Sequence, residues 1–304
     1  MIYKKNEPLV SIIMNCFNGE RYLHQAIKSI LAQSYQNWEI VFWDNKSMDN
    51  SEKIFKSYYD NRFHYYRSER HTILYEARNY ALSKCNGEFI AFLDVDDIWF
   101  PKKLSIQISL FKDFAVGLCC GNYIKINERK KNDISTKPRY HSLPHGNVLN
   151  DIFQDYFVHI STLMIRKQAL SQLEYFFDSR FKHLGDLDIV IRLCSKWKLA
   201  SVQELIASYR WHQNNNGYKD VEALSDDFNI LFNKIKNNKK YRKLSNFSIF
   251  EDKVKLYNVL KLLYVGKKTE ALSKINSLKI KHSLKILIAI FLPTKLIKMW
   301  IDRP

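Results

Sequence analysis

The sequence predicts an α/β fold built on a mostly parallel sheet with helices on both faces, plus a C-terminal helical appendage. Three observations predict it. Over the first hundred residues, short apolar runs alternate with segments of helical spacing, the pattern of strand–helix–strand units. From about Asp220 onward the spacing is helical to the end. A hydrophobic fraction of 46% and an aromatic fraction of 14% give the 304 residues ample core material, which argues against extensive disorder.

Residues 10–15 (VSIIMN) are an apolar run and predict a buried strand. Residues 19–33 carry Leu23, Ala26, Ile27, Ile30 and Leu31 at helical spacing. Residues 38–43 (WEIVFW) predict a second strand ending at Asp44, and 51–59 a short helix capped by Asp49 or Ser51. A third strand covers 64–67. A helix covers 74–84 and stops at Asn86-Gly87. A fourth strand, 88–93, runs into Asp94-Val95-Asp96-Asp97. Ligands of such sheets bind beyond the carboxyl ends of the strands, so Asp44 and the 94–97 cluster form one candidate site. Farther on, strands are expected over 116–126, 158–165 and 205–211. A polar loop is expected over 127–140, a helix over 186–197, and an antiparallel helix pair over 258–278 that turns at Gly266.

Cys16, Cys85, Cys119, Cys120 and Cys194 contain no C-x-x-C pair and are odd in number. Structural zinc and a disulfide framework are poor readings, and reduced thiols in a cytoplasmic protein are expected. The N-terminus lacks the features of a signal peptide. No stretch offers the roughly 20 apolar residues of a membrane span. The net charge of +17 is uneven: residues 228–304 hold 18 Lys+Arg against 4 Asp+Glu, a balance of +14, which leaves +3 for the rest. The tail therefore suits an anionic membrane surface or nucleic acid. Within it, 282–303 (HSLKILIAIFLPTKLIKMWIDR) reads as a basic amphipathic element broken at Pro293. Packing against the rest of the chain is the plainer alternative.

Four clusters carry chemistry. Three carboxylates in Asp94-Val95-Asp96-Asp97 repel one another, and a divalent magnesium or manganese ion would relieve this; alone, the cluster reads equally as a solvated acidic turn. Asp44 can accept a ring N–H from a base, or simply make an Asx turn. Asp186 opens a helix, as a general base or as an ordinary N-terminal acid. Arg210 and His212, in YRWH, follow a strand and suit a pyrophosphate and a metal, or are surface residues.

Each cluster is weak alone, but their order and spacing are not. Over roughly residues 8–218 the chain resembles the family-2-type inverting glycosyltransferases with the GT-A (Rossmann-like) fold. The resemblance is carried by PLVSIIMNCFNGERYLHQAIKSILAQSYQNWEIVFWDNKSMDNS, EARNYALSKCNGEFIAFLDVDDIWFPKKL, GDLDIVIRL and YRWH. It implies a catalytic domain over 1–218, with a nucleotide-binding half to about 115 and an acceptor half over 116–218, and a basic helical region over 219–304. It implies that Asn15, Phe17 and Asn18 line the nucleotide pocket, that Asp44 holds a uracil, and that Arg78 lies near the phosphates. Asp94 would reach the donor ribose or sugar. Asp96 of the Asp-x-Asp motif, with His212, would bind Mn2+ or Mg2+. Asp97 would support the donor side, and Asp186 would be the catalytic base. The family's Glu-Asp is Gly185-Asp186 here, and its Asp-Asp is Asp44-Asn45; neither change removes a required group.

The expected activity is transfer of a sugar from a nucleotide-diphosphate sugar, a UDP-sugar by the Asp44 argument, to a hydroxyl of a glycan or lipid-linked glycan of the cell envelope. The protein is expected to be peripheral on the cytoplasmic membrane face, with no nucleic-acid partner. A sugar-nucleotidyltransferase would want a Gly-rich loop after the first strand, and here that segment has one glycine, Gly19. A non-enzymatic basic adaptor would explain the tail but not the acidic strand ends.

Overall fold

The computed structural model describes residues 7–128, 133–134, 138–212, 220–275 and 278. They fall into two compact units: one within Met1–Val148, Phe157–Ser179 and Asp186–His212, the other within Leu149–Tyr156, Arg180–Gly185 and Gln213–Pro304. Two short segments that the sequence reading kept with the first part, 149–156 and 180–185, thus belong with the helices of the second.

The first unit holds one mixed sheet. Its strands are β1 (Val10–Cys16), β2 (Trp38–Asp44), β3 (Phe63–Arg67), β4 (Phe89–Phe92), β5 (Ile98–Trp99), β6 (Val116–Asn127), β7 (Asp133–Ile134), β8 (Met164–Arg166) and β9 (Lys198–Trp211). The order is β3-β2-β1-β4-β8-β6-β9-β5, with β7 paired to β6. The β3-β2-β1-β4 half is wholly parallel, so its strands all end on one edge, with Cys16 beside Asp44 and Asp44 beside Arg67. Helices α1 (Glu20–Leu31), α2 (Ser51–Lys56) and α4 (Lys103–Leu110) cover one face. Their Leu23, Ile27, Phe55 and Leu104 join Val10, Ile12, Met14, Ile40 and Phe42 in one core. Helix α3 (Leu74–Leu82) covers the other, where Tyr80 stacks on Trp43 at 5.2 Å. This alternation follows from the two-residue period of the strands.

The first two loops lock together. Ser51 Oγ accepts from Gly19 N at 2.9 Å, Asp49 accepts from Glu20 N at 2.9 Å, and Glu20 accepts from Asn50 N at 2.9 Å. The residue preceding α2 is Asn50, and it makes no side-chain cap. Asp49, one of the two expected caps, serves the first residue of α1 and Ser51 N. Gly19 is required by space: a Cβ there would lie 2.8 Å from Val95 Cγ2 and 2.9 Å from Cys16 Sγ.

The strand expected over 158–165 is interrupted. Residues Ile160–Thr162 form a 3-10 turn, because Ser161 N donates to His159 Nδ1 at 3.3 Å and Thr162 N to His159 O at 2.9 Å. Such local bonds compete with strand pairing. Short helices α5 (Leu149–Gln154) and α6 (Lys167–Ser171) flank this region, and α7 (Gly185–Cys194) opens at Asp186's turn. Part of the expected loop over 127–140 forms β7. All five cysteines are free and buried.

The second unit contains α5, α8 (Val221–Ile235), α9 (Lys239–Arg242), α10 (Phe247–Tyr264) and α11 (Lys268–Ile275). Phe153 packs edge-on against Tyr241 and Phe247. The helix pair expected over 258–278 is present as the end of α10 and α11, turning at Gly266 with φ of +82°. No helix among the described residues is long and apolar enough to cross a membrane. The expected amphipathic element over 282–303 lies outside the described residues.

Candidate functional site

The parallel strands deliver Asn15, Phe17, Asn18, Asp44 and the 94–97 turn to one edge of the sheet. Asn15 Nδ2 is buried with no hydrogen-bond partner among the described residues. A donor held out of water without an acceptor is costly. Phe17 follows it, 46% exposed, its ring 4.1 Å from that of His71. Asn18 adopts a left-handed φ of 53°. Its side chain accepts from Met48 N at 2.9 Å, so it is committed to the loop lock.

Asp44 is held by its own loop. Its carboxylate is 0% exposed: Oδ1 accepts from Ser47 N at 2.6 Å and Oδ2 from the Tyr65 hydroxyl at 2.7 Å, with Arg67 at 3.8 Å. In this arrangement Asp44 anchors the loop after β2. Its neighbour Asn45 is also committed, bonding Thr72 three times.

The repulsion among the three carboxylates of the 94–97 turn is relieved by separate partners. Asp94 Oδ1 accepts from Arg78 Nη2 at 3.0 Å. Asp96 Oδ2 lies 3.0 Å from His212 Nε2. Asp97, buried, accepts from Ser161 Oγ and from Arg210 N at 3.0 Å. Burial, opposed by Arg78, raises the pKa of Asp94. Burial, then the neighbouring carboxylates Asp96 and Asp94, raise that of Asp97 well above the usual range.

Arg210 is buried and strongly bonded. Its guanidinium donates to Asp96 O at 2.9 Å, Glu128 at 2.7 Å and Gln25 at 2.7 Å. Arg210 thus ties α1, β9, Glu128 and the acidic turn together.

Arg78 occupies the centre of the other side. It is 3% exposed, bonded to Asp94, and its charge acts on Asp186 as well. Asp186 sits in the first turn of α7. Its Oδ1 accepts from Leu187 N at 2.9 Å and from the Tyr75 hydroxyl at 3.5 Å. Burial, against the opposing pull of Arg78, pushes its pKa up to about 6. A carboxylate so placed is ionised at neutral pH yet more basic than an exposed one, which suits a general base.

Sequence reasoning missed Tyr75, Glu128, Gln25, Ser161 and His159. Tyr75 was findable: it lies three residues before Arg78, on the same helical face. The partners of Arg210 come from three distant segments and leave no local signal.

Among the described residues no group of three or more His, Cys, Asp or Glu side chains converges on one point. The Asp96–His212 pair offers one oxygen and one nitrogen donor. It fits a divalent cation that takes its other ligands from a diphosphate and water, and the imidazole favours manganese over magnesium.

The chain is similar to known proteins in sequence and fold. A model for "Glycosyl transferase family 2" matches residues 11–173. The chain is 41% identical over 119 residues to UDP-Glc:alpha-D-GlcNAc-diphosphoundecaprenol beta-1,3-glucosyltransferase WfgD of Escherichia coli, covering 39% of this chain and 47% of that protein, about half its length. It is 30% identical over 246 residues to an uncharacterized glycosyltransferase of Rickettsia typhi, covering 73% of this chain and 71% of that one. Among solved structures, S. aureus TarS 1-349 in complex with UDP-GlcNAc aligns with a TM-score of 0.67 at 16% identity, over 96% of this chain and 88% of that one. Mannosyltransferase PcManGT from Pyrobaculum calidifontis, in complex with GDP-Man and Mn2+, aligns with a TM-score of 0.62 at 12% identity, over 98% and 86%. The shared fold is the GT-A sheet with helices that the sequence predicted.

Proposed function

The chain belongs to glycosyltransferase family 2, and from that premise we propose that it is an inverting enzyme that transfers a sugar from a uridine-diphosphate sugar to a hydroxyl of a cell-envelope glycan. The observation that carries this reading is the pair of carboxylates under the charge of Arg78: Asp186, at a pKa of about 6, and Asp94, bonded to Arg78 and next to the Asp96–His212 pair. Asp186 accepts the proton of the attacking hydroxyl. Tyr75 orients its oxygen. Arg78 holds the two carboxylates apart in charge, so that Asp186 stays ionised near Asp94. A divalent cation bound by Asp96 and His212 would supply positive charge where the leaving diphosphate gains negative charge. A single displacement with base and leaving group on opposite sides inverts the anomeric carbon.

The uridine donor rests on the relative WfgD, whose name gives UDP-Glc as its donor, and on the exposed Phe17 ring as a stacking surface for a base. WfgD's name also gives a lipid diphosphate acceptor, which supports an envelope glycan here. The basic tail sequence supports attachment to the cytoplasmic face of an anionic membrane. The test is a screen of nucleotide-sugars for nucleoside-diphosphate release. UDP release that depends on a UDP-sugar and on Asp186 is the expected result. Pyrophosphate release from UTP with a sugar phosphate would favour nucleotidyl transfer instead.

A further inference from the structure

One group of side chains near the acidic turn has no part in the chemistry above. The His159 ring lies 4.7 Å from Tyr123 and 4.7 Å from Tyr209, and these two tyrosines meet edge to face at 6.4 Å. Tyr140 adds a second edge contact to Tyr123. On the neighbouring rungs of β6 and β9, Lys125 Nζ stands 3.6 Å over the ring of Trp211. All six side chains are partly exposed. Side chains alternate along a strand, so Tyr123, Lys125, Tyr209 and Trp211 lie on one face of the β6–β9 ribbon. Arg210 lies on the other.

The arrangement is held rigidly. The turn that presents His159 is fastened by Ser161 Oγ donating to Asp97, by Trp99 Nε1 donating to Ser161 O at 2.6 Å, and by Gln107 donating to Thr162 O at 2.7 Å. Burial holds the pKa of His159 down to about 4, so the ring is neutral at physiological pH. Its Nδ1 accepts from Ser161 N, which puts the proton on Nε2. The Ser161 bond to Asp97 fastens this turn to the acidic cluster.

We propose that Tyr123, His159 and Tyr209 form the platform for the saccharide that accepts the transferred sugar, and that Lys125 at its end binds a phosphate carried by that acceptor. The proposal rests on the glycosyltransferase reading above. Aromatic faces carry negative potential and suit the C–H-rich face of a pyranose. The His159 N–H can donate to a sugar hydroxyl. The ammonium of Lys125 complements an anion. The Ser161–Asp97 and Arg210–Asp97 bonds set the platform beside the acidic turn.

The test measures saccharide binding to the full-length protein by saturation-transfer NMR. The probes are decyl glucoside and decyl N-acetylglucosaminide, each with and without a diphosphate between the sugar and the alkyl chain. The wild-type protein should bind at least one diphosphate probe more tightly than its uncharged counterpart. Tyr209→Ala should weaken it about tenfold, the loss expected for one stacked ring. Lys125→Gln should abolish the preference for the diphosphate form. Tyr209→Phe should restore binding and guards against misfolding of the alanine variant. Failure of every probe to bind the wild-type protein, or unchanged binding by Tyr209→Ala and Lys125→Gln, overturns the proposal. UDP release from UDP-sugars by the wild-type protein is measured separately, so failure of the parent reading is distinguishable from failure of this one.

Discussion

Asp186→Asn should make the protein more stable and nearly inactive. Moving a carboxyl pKa from 3.8 to about 6 means that burial disfavours the ionised form by about 3 kcal/mol. The direction follows from proton counts. Between those two values the unfolded chain has released the proton and the folded chain retains it, so stability falls as pH rises from about 4 to about 6. Above pH 6 the whole penalty is present. Asparagine has nearly the same shape, keeps an oxygen for Leu187 N and Tyr75, and carries no charge. The variant should therefore gain up to about 3 kcal/mol at pH 7.5 and little at pH 4; partial access to solvent makes this figure an upper limit. Transfer should fall by roughly 100-fold or more, the scale for loss of a general base. In the wild-type protein, transfer should rise with pH through about 6 and then level off. Urea unfolding at pH 4.5 and 7.5, with transfer rates across the same range, measures all of this. Loss of stability at pH 7.5, or normal transfer by the variant, would show that Asp186 only opens a helix.

Three further outcomes are expected. Asp96→Asn should lose activity and divalent-cation binding together, by roughly 100-fold each, without unfolding; calorimetric titration with Mn2+ reads the binding, and an active variant in EDTA would refute the assignment. Arg78→Met leaves Asp94 and Asp186 without their shared counter-charge and should cost about 3–5 kcal/mol, with less loss for Arg78→Lys; an unchanged urea midpoint would mean that Arg78 does not hold the two carboxylates. A chain ending at Leu278 should lose sedimentation with anionic liposomes while still releasing UDP, and retained sedimentation would place membrane binding elsewhere.

The first half of the fold was legible because its strands are short and largely apolar. Residues 10–15 and 38–43 are buried on both faces, and the parallel arrangement follows from that. The second half was harder. The early part of β9 carries Lys198, Ser201, Gln203 and Glu204, so it lacks an apolar signal, and the strand begins seven residues before the expected 205. The 3-10 turn at Ile160–Thr162 depends on the His159 side chain, which periodicity does not register. Site positions were readable where a strand end dictates them, as for Asp94 and Asp96. Roles were not readable where partners come from far along the chain. Asp44 accepts from Tyr65, and Arg210 donates to Gln25 and Glu128; only the folded chain brings these together.

The central claim is inverting transfer, and proton NMR of the product formed from a panel of UDP-sugars tests it most directly. An α-linked UDP-sugar should yield a β-linked product and free UDP, with Asp186→Asn forming neither at an appreciable rate. An α-linked product from an α-linked donor would contradict inversion, and no donor-dependent product from any nucleotide-sugar would contradict the transferase reading itself.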